Sequence, residues 1–268
     1  MSSSSTFLAT DGAGYDLQMG RWSRRLAPLL IDFAGVTDGG GFLDVGCGTG
    51  SLTFALADRP HVGAITGVDL SSEYIAHASR HRRDPRICFE VGDATELHFE
   101  DQSFDHALSS LVLQFIPEPD RAVREMRRVT RSGGTVAAAT WDSRGGLVVR
   151  RMFFDTAAVI DPNAATCRAL ACTRPMSRKD GLARAWNDAG LVDVEVDSLT
   201  IRMDYESFLD FWSSTDGKDG PVAEYVGTLD AETKLTLRRL MEAAYLDGAP
   251  DGPRSYAATA WAVKGWVP

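Results

Sequence analysis

The stretch Phe42-Leu43-Asp44-Val45-Gly46-Cys47-Gly48-Thr49-Gly50 carries the strongest chemical signal in the chain. Glycines at a strand-to-helix turn let the backbone approach a ligand closely and adopt φ > 0. A dinucleotide loop needs G-x-G-x-x-G, but Ser51 stands where its last glycine would fall. The spacing is G-x-G-x-G, with an acid, Asp44, two residues ahead of it. A carboxylate beside a phosphate cradle repels pyrophosphate and suits a ligand with positive charge. Nineteen residues after Gly50, Asp69 closes Gly67-Val68-Asp69-Leu70, where a carboxylate can accept from two vicinal hydroxyls. A third acid, Asp93 in Val91-Gly92-Asp93-Ala94, follows the next apolar run and can meet an amino group. Plainer roles stand beside these: a helix N-cap for Asp69, a turn for Asp93 and a small packed side chain for Cys47.

Such residues converge only if strands deliver them to one sheet edge. Apolar runs at 41–45, 64–70, 86–91, 104–110 and 135–141 read as strands. Helical patterns at 20–35, from 49–51 onward, at 72–82 and at 119–130 separate them, with breaks at Thr37-Asp38-Gly39-Gly40-Gly41 and Ser132-Gly133-Gly134. Strands alternating with helices indicate βαβ units and a mostly parallel sheet with both faces covered. The alternation then changes. Residues 146–190 read as helical, 192–203 as a strand, 206–249 as broken helix and 256–267 as a strand. The expectation is one α/β domain: a Rossmann-like, seven-stranded, mostly parallel sheet with a helical insertion in its C-terminal half. Within it, residues 1–40 cover the ligand, 41–141 bind it and 142–268 complete the sheet and form a lid.

The 268 residues are 44% hydrophobic and 24% charged, which fits a globular protein with a sizeable core. Their formal net charge of −9 gives no general attraction for nucleic acid or anionic membranes. No apolar run reaches bilayer length and no leader is visible, so neither membrane insertion nor export is expected. Four cysteines without a C-x-x-C pair suit reduced thiols and a cytoplasmic location. Glu73, His77 and His81 fall on one helical stripe, read as a solvated face and not as a metal site. Trp141 is placed either at a pocket rim or in the core. Phe208, Phe211 and Trp212 are read as glue for the insertion, with a lid role as the alternative.

From about residue 15 to residue 141 the chain resembles class I S-adenosylmethionine-dependent methyltransferases, on the branch of ubiquinone/menaquinone-type and related small-molecule enzymes. The resemblance runs through residues 42–50, 67–70, 92–94, 104–117 and 131–140, and fits loosely beyond them. It implies that Asp44, Gly46 and Gly48 contact the methionine part of the cofactor, Asp69 the ribose, and Asp93 and Ala94 the adenine. Cys47, Leu70 and Gly92 lie inside the same motifs and join the binding set, with Leu111 and Phe115 beside the cofactor. The segment Tyr15-Asp16-Leu17-Gln18-Met19-Gly20-Arg21-Trp22 resembles one that folds over the cofactor, with Tyr15 and Arg21 as contacts. One departure stands out: many relatives carry histidine after the fourth strand, where this chain has Leu113-Gln114-Phe115. No catalytic base is therefore assigned. The expected reaction is methyl transfer to oxygen, nitrogen or carbon of a small-molecule acceptor, releasing S-adenosylhomocysteine. The acidic charge suits an apolar or cationic acceptor. The alternatives are a nucleotide-dependent oxidoreductase, which Ser51 opposes, and a cofactor-binding regulator without activity.

Overall fold

The structure is a computed structural model that describes residues 5–7, 10–36, 39–215 and 219–268. The chain runs α1 (Gly12–Tyr15), a π-helical turn (Asp16–Gly20), α2 (Arg21–Ala34), β1 (Phe42–Val45), α3 (Ser51–Ala57), β2 (Ile65–Asp69), α4 (Ser72–His81), β3 (Ile87–Val91) and β4 (Phe104–Ser110). It continues through α5 (Pro119–Val129), β5 (Thr130–Trp141), α6 (Val148–Ala157), α7 (Pro162–Thr173), α8 (Lys179–Asp188) and β6 (Val192–Tyr205). The last elements are α9 (Phe208–Ser213), α10 (Pro221–Gly227), α11 (Ala231–Leu246) and β7 (Arg254–Trp266).

The seven strands form one sheet in the order β3-β2-β1-β4-β5-β7-β6. The first five are parallel, and β7 lies antiparallel between β5 and β6. Every residue of β1 is buried, as a central strand covered on both faces requires. The chain steps outward from β1 to β3, then reverses to β4. Ligands in such sheets bind at that reversal, beyond the carboxyl ends of the strands. In register, Asp44 on β1 lies opposite Gly67 on β2 and Leu108 on β4.

One core lies between the sheet, α2, α3 and the C-terminal helices. Trp22, Leu26 and Leu30 of α2 pack there with Trp141, Phe154, Tyr205 and Phe211. A second core, on the other face, joins α5 and α8 through Val123, Met126, Leu182 and Trp186. The helical insertion has a mechanical support in the two long C-terminal strands. Trp141 ends β5 opposite Ala260, whereas β6 and β7 stay paired out to Tyr205 and Arg254. This overhang leads into α9, which packs against β6 and in turn meets α11.

Two local readings change. The strand expected from residue 135 begins at Thr130, and Ser132-Gly133-Gly134 lies inside it as a bulge. The register jumps from Phe104↔Thr130 to His106↔Thr135, and Gly133 takes φ 77°. The break expected at residues 37–41 has Thr37 and Asp38 outside the described residues. Among the described residues, no helix is long and apolar enough to cross a membrane.

Candidate active site

A crevice of about 450 Å³ opens beyond the carboxyl ends of β1, β2, β3 and β4. Asp44, Gly46, Cys47, Gly48, Asp69, Leu70, Gly92, Asp93, Ala94, Leu111, Phe115 and Tyr15 all line it. Its size lies within the usual range of ligand pockets, about 300–1,000 Å³. Arg21 is the exception. Its Nη1 pairs with Asp210 Oδ1 of α9 at 2.9 Å, and its guanidinium stacks on the rings of Trp22 and Tyr205. The structure therefore places Arg21 in the joint between α2 and the insertion and not against the crevice.

The glycine loop follows from backbone sterics. Gly46 has φ 73°, and a Cβ there would stand 2.5 Å from a Val112 methyl. Both facts exclude other residues, and the missing side chain lets the crevice reach the backbone. Asp44 sits under this turn at 1% exposure. Its Oδ2 accepts from Thr53 Oγ1 at 2.7 Å, while its Oδ1 is buried without a partner among the described residues. Burial pushes its carboxyl up from 3.8 to about 7, against the opposing pull of the Thr53 hydrogen bonds. An orphaned acceptor of this kind is expensive unless a ligand donates to it.

Asp69 is a strut as well as a wall. Its Oδ2 accepts from the Gly48 backbone N–H at 2.9 Å and its Oδ1 from Ser71 N–H at 2.9 Å. It thus ties the glycine loop to the start of α4, and burial raises its pKa. The N-cap of α4 is Ser71, which accepts from Tyr74 N–H, so the capping alternative for Asp69 does not describe it. Asp93 Oδ1 accepts from Thr95 N–H and Oγ1–H, each at 2.8 Å, which makes it a turn residue that also lines the crevice. Cys47 is buried and its thiol is pushed well above the ordinary range by burial, as a packed side chain requires. Leu111 takes φ 65° at the end of β4, a strained position for a branched side chain. Strain of this kind gathers at functional sites.

The N-terminal segment covers the crevice through three ties. Thr6 donates from N–H and Oγ1–H to the Phe115 carbonyl at 2.8 and 3.0 Å. Asp219, itself 1% exposed, accepts from Thr10 N–H, Thr10 Oγ1–H, Asp11 N–H and Tyr74 O–H. Asp16 accepts from Thr49 Oγ1–H at 2.8 Å and lies 3.1 Å from His77 Nε2. Of the expected solvent stripe, Glu73 and His81 are exposed, but His77 is half-buried under this segment. A Cβ on Gly12 would stand 2.7 Å from the His77 ring. Among the described residues, no group of three or more His, Cys, Asp or Glu could hold a metal. Tyr15 donates to or accepts from Ser23 Oγ at 3.4 Å and rests on the ring of Tyr74. Burial raises its pKa, so it stays a neutral phenol.

A second, smaller cavity of about 90 Å³ adjoins the crevice and shares Phe7, Tyr15, Leu111 and Phe115 with it. Trp22, Trp141, Phe153, Tyr205 and Phe211 give it aromatic walls. Trp141 is thus both core and pocket wall, and Phe211 both binds the insertion to the sheet and faces the cavity. Gln114, in the segment where the resemblance led to an expected histidine, accepts at its Oε1 from Trp141 N–H at 3.0 Å. Sequence reasoning missed Phe7, Thr10, Tyr74 and Asp219. Tyr74 had a usable signal, lying one helical turn beyond Ser71 and facing the glycine loop. Asp219 had none.

Residues 43–138 match the family model described as "Methyltransferase domain". A demethylmenaquinone methyltransferase of Paenarthrobacter aurescens is 31% identical over 195 residues, covering 69% of this chain and 74% of that protein. The chain belongs to the class I S-adenosylmethionine-dependent methyltransferase family. The ubiquinone/menaquinone biosynthesis C-methyltransferase of Bdellovibrio bacteriovorus is 36% identical over 109 residues, or 40% of this chain. The match spans about half the length of such relatives: 46% of that protein, and 50% of a demethylmenaquinone methyltransferase of Renibacterium salmoninarum. Among solved structures, phosphoethanolamine N-methyltransferase 2 of Haemonchus contortus in complex with S-adenosyl-L-methionine superposes with TM-score 0.61 at 18% identity, covering 97% of this chain and 58% of that one. A geranyl diphosphate methyltransferase in complex with SAM gives TM-score 0.55 at 18% identity, covering 97% and 92%. At these identities the structures establish the methyltransferase fold alone.

Proposed function

We propose that this methyltransferase moves the methyl group of S-adenosylmethionine to oxygen, nitrogen or carbon of a small-molecule acceptor and releases S-adenosylhomocysteine. The observation that carries the reading is the buried, unpartnered Oδ1 of Asp44 at the head of a crevice flanked by Asp69 and Asp93. The donor set fits the cofactor. Asp44 would take the ammonium, Asp69 would offer its remaining lone pairs to the ribose diol, and Asp93 with Ala94 would border the adenine.

When bound, the cofactor supplies a methyl group already activated by a sulfonium centre. The chain's own work is therefore alignment and exclusion of water. The N-terminal segment closes the crevice through Thr6, Thr10 and Asp16, while Leu111 and Phe115 form the wall between cofactor and acceptor. The tyrosine and tryptophan faces around that wall favour a cationic sulfur electrostatically. Among the described residues, no histidine or carboxylate lines the smaller cavity, so no side chain is assigned to proton removal.

Residues 1–40 act as the cover, 41–141 as the cofactor body and 142–268 as the acceptor region. A formal net charge of −9 favours a small acceptor over nucleic acid. The free cysteines suit the reducing cytoplasm. Calorimetric titration with S-adenosylmethionine, S-adenosylhomocysteine and NAD tests the proposal. Binding of both adenosyl ligands without NAD is expected. Binding of NAD alone, or of none of the three, would overturn it.

A further inference from the structure

Arg150, in the first turn of α6, lines the small aromatic cavity. Other partly buried arginines of this acidic chain are held by acids: Arg86 by Asp84, and Arg128 by Glu125 and Asp101. Arg150 has no such partner among the described residues. The titratable groups that face it are Arg174 and Cys172, and burial together with the Arg174 charge lowers its pKa to about 10. Arg174 adds a second, half-buried cation stacked over the Phe115 ring at 4.5 Å, with its Nη1 buried and unpartnered and Glu224 as the acid that faces it. A half-buried guanidinium on an aromatic wall with no acid beside it is poorly compensated, so Arg150 marks a place where a ligand can supply the negative charge.

Resting on the methyltransferase reading, we propose that the acceptor carries a carboxylate, which Arg150 holds in the small cavity while an apolar body lies among the aromatic walls. Arg150 offers a planar fork that matches a carboxylate in a bidentate pair. The cavity of about 90 Å³ suits a small acceptor, with its carboxylate at Arg150 and its apolar body against the aromatic walls. The body of the acceptor then extends toward Tyr15, Leu111 and Phe115, so the methylated atom stands at the wall shared with the crevice. This reverses the expectation of a cationic acceptor drawn from net charge, because the total of −9 does not describe the sign inside this cavity.

The test uses full-length protein saturated with S-adenosylhomocysteine and matched probes: 4-hydroxybenzoate against 4-hydroxybenzamide, cinnamate against cinnamamide, and phenyl phosphate. Binding is read by calorimetry and by the fluorescence of Trp22 and Trp141. Each acid is expected to bind at least about tenfold tighter than its amide, the scale of a charge-assisted hydrogen bond. Arg150→Gln should erase that difference and Arg150→Lys should restore part of it, with S-adenosylhomocysteine affinity unchanged in both. Equal binding of acids and amides, no binding of the acids, or discrimination that survives Arg150→Gln would overturn the inference. Phenyl phosphate binding tighter than the acids would overturn the carboxylate assignment. Failure of the wild type to bind S-adenosylhomocysteine would instead refute the methyltransferase reading, and this inference with it.

Discussion

Asp44 should destabilise the free protein for the same reason that it binds a cation. Burial holds its folded-state carboxyl near pH 7, up from 3.8. In the unfolded chain it titrates near pH 3.9, so between about 4 and 7 the folded state keeps a proton that the unfolded state has released. Stability therefore falls as pH rises through that window, by up to about 1.4 kcal/mol per unit, and levels off above about pH 8. Asp44→Asn removes the titration, while its amide oxygen can still accept from Thr53. From pH 5 to pH 7 the wild type should lose about 2.3 kcal/mol relative to the variant, because the carboxyl is still half protonated at pH 7. At roughly 2–4 °C per kcal/mol, the Tm gap should widen by about 5–9 °C over those two units. Contributions that do not depend on pH, such as the unpartnered amide hydrogens, cancel in this difference. Thermal unfolding of both proteins at pH 5, 6, 7 and 8, followed by circular dichroism, measures it. S-adenosylhomocysteine affinity should move the other way at pH 8, weakening by about 10- to 100-fold in the variant through loss of a charged acceptor. A Tm gap that stays constant from pH 5 to pH 8 would refute the raised carboxyl. An unchanged affinity would refute the contact with the ammonium.

Gly46→Ala should lose about 1–2 kcal/mol of stability from its left-handed backbone alone, with more from the contact with Val112. Urea unfolding should show that Val112→Ala regains part of this loss in the double variant; purely additive losses would refute the steric account. Asp219→Asn should release the N-terminal segment, since an amide nitrogen cannot accept from Thr10 or Asp11. Limited proteolysis at the N-terminus should then run faster and S-adenosylhomocysteine should bind several-fold more weakly, and an unchanged cleavage rate would show that Asp219 does not fasten the cover.

The cofactor crevice was legible because each of its parts is local. A β-strand, a turn and a helix start within about ten residues, so Asp44 and Gly46, Asp69 and Ser71, and Asp93 and Thr95 carry their own geometry in the sequence. Parallel strands then bring three such units to one edge without further information. The cover was legible only in part. Tyr15 reached the crevice, but Arg21 was captured by Asp210, a partner 189 residues away that no local pattern reveals. His77 was misplaced for a similar reason, because its helical stripe does not show that Gly12 and Asp16 lie across it. The smaller cavity was legible only in single residues, Trp141 and Phe211 among them, and not as an assembled chamber. Its walls come from the N-terminal segment, α2, the turn after β4, the end of β5, α6, β6, α9 and α10, each contributing a few side chains.

That difference in construction gives the two chambers opposite charge across one shared wall. Asp44, Asp69 and Asp93 line the crevice, and Arg150 lines the cavity, with Arg174 stacked over the shared Phe115. Leu111 and Phe115 divide them, and the φ of 65° at Leu111 sets that wall at the very end of β4. A ligand with both an ammonium and a sulfonium is favoured on the acidic side and opposed on the other, and a carboxylate acceptor is sorted the opposite way. Each ligand is thereby excluded from its neighbour's chamber by like charge as well as drawn into its own, which is how discrimination arises without extra contacts. Exchanging a charge should therefore do more than weaken binding. With Arg150→Glu the cavity would repel the carboxylate and attract cations, so acids of the probe series should lose binding, and matched arylamines such as 4-hydroxybenzylamine should gain it. If the arylamine binds no better to Arg150→Glu than to wild type, the sorting does not rest on charge.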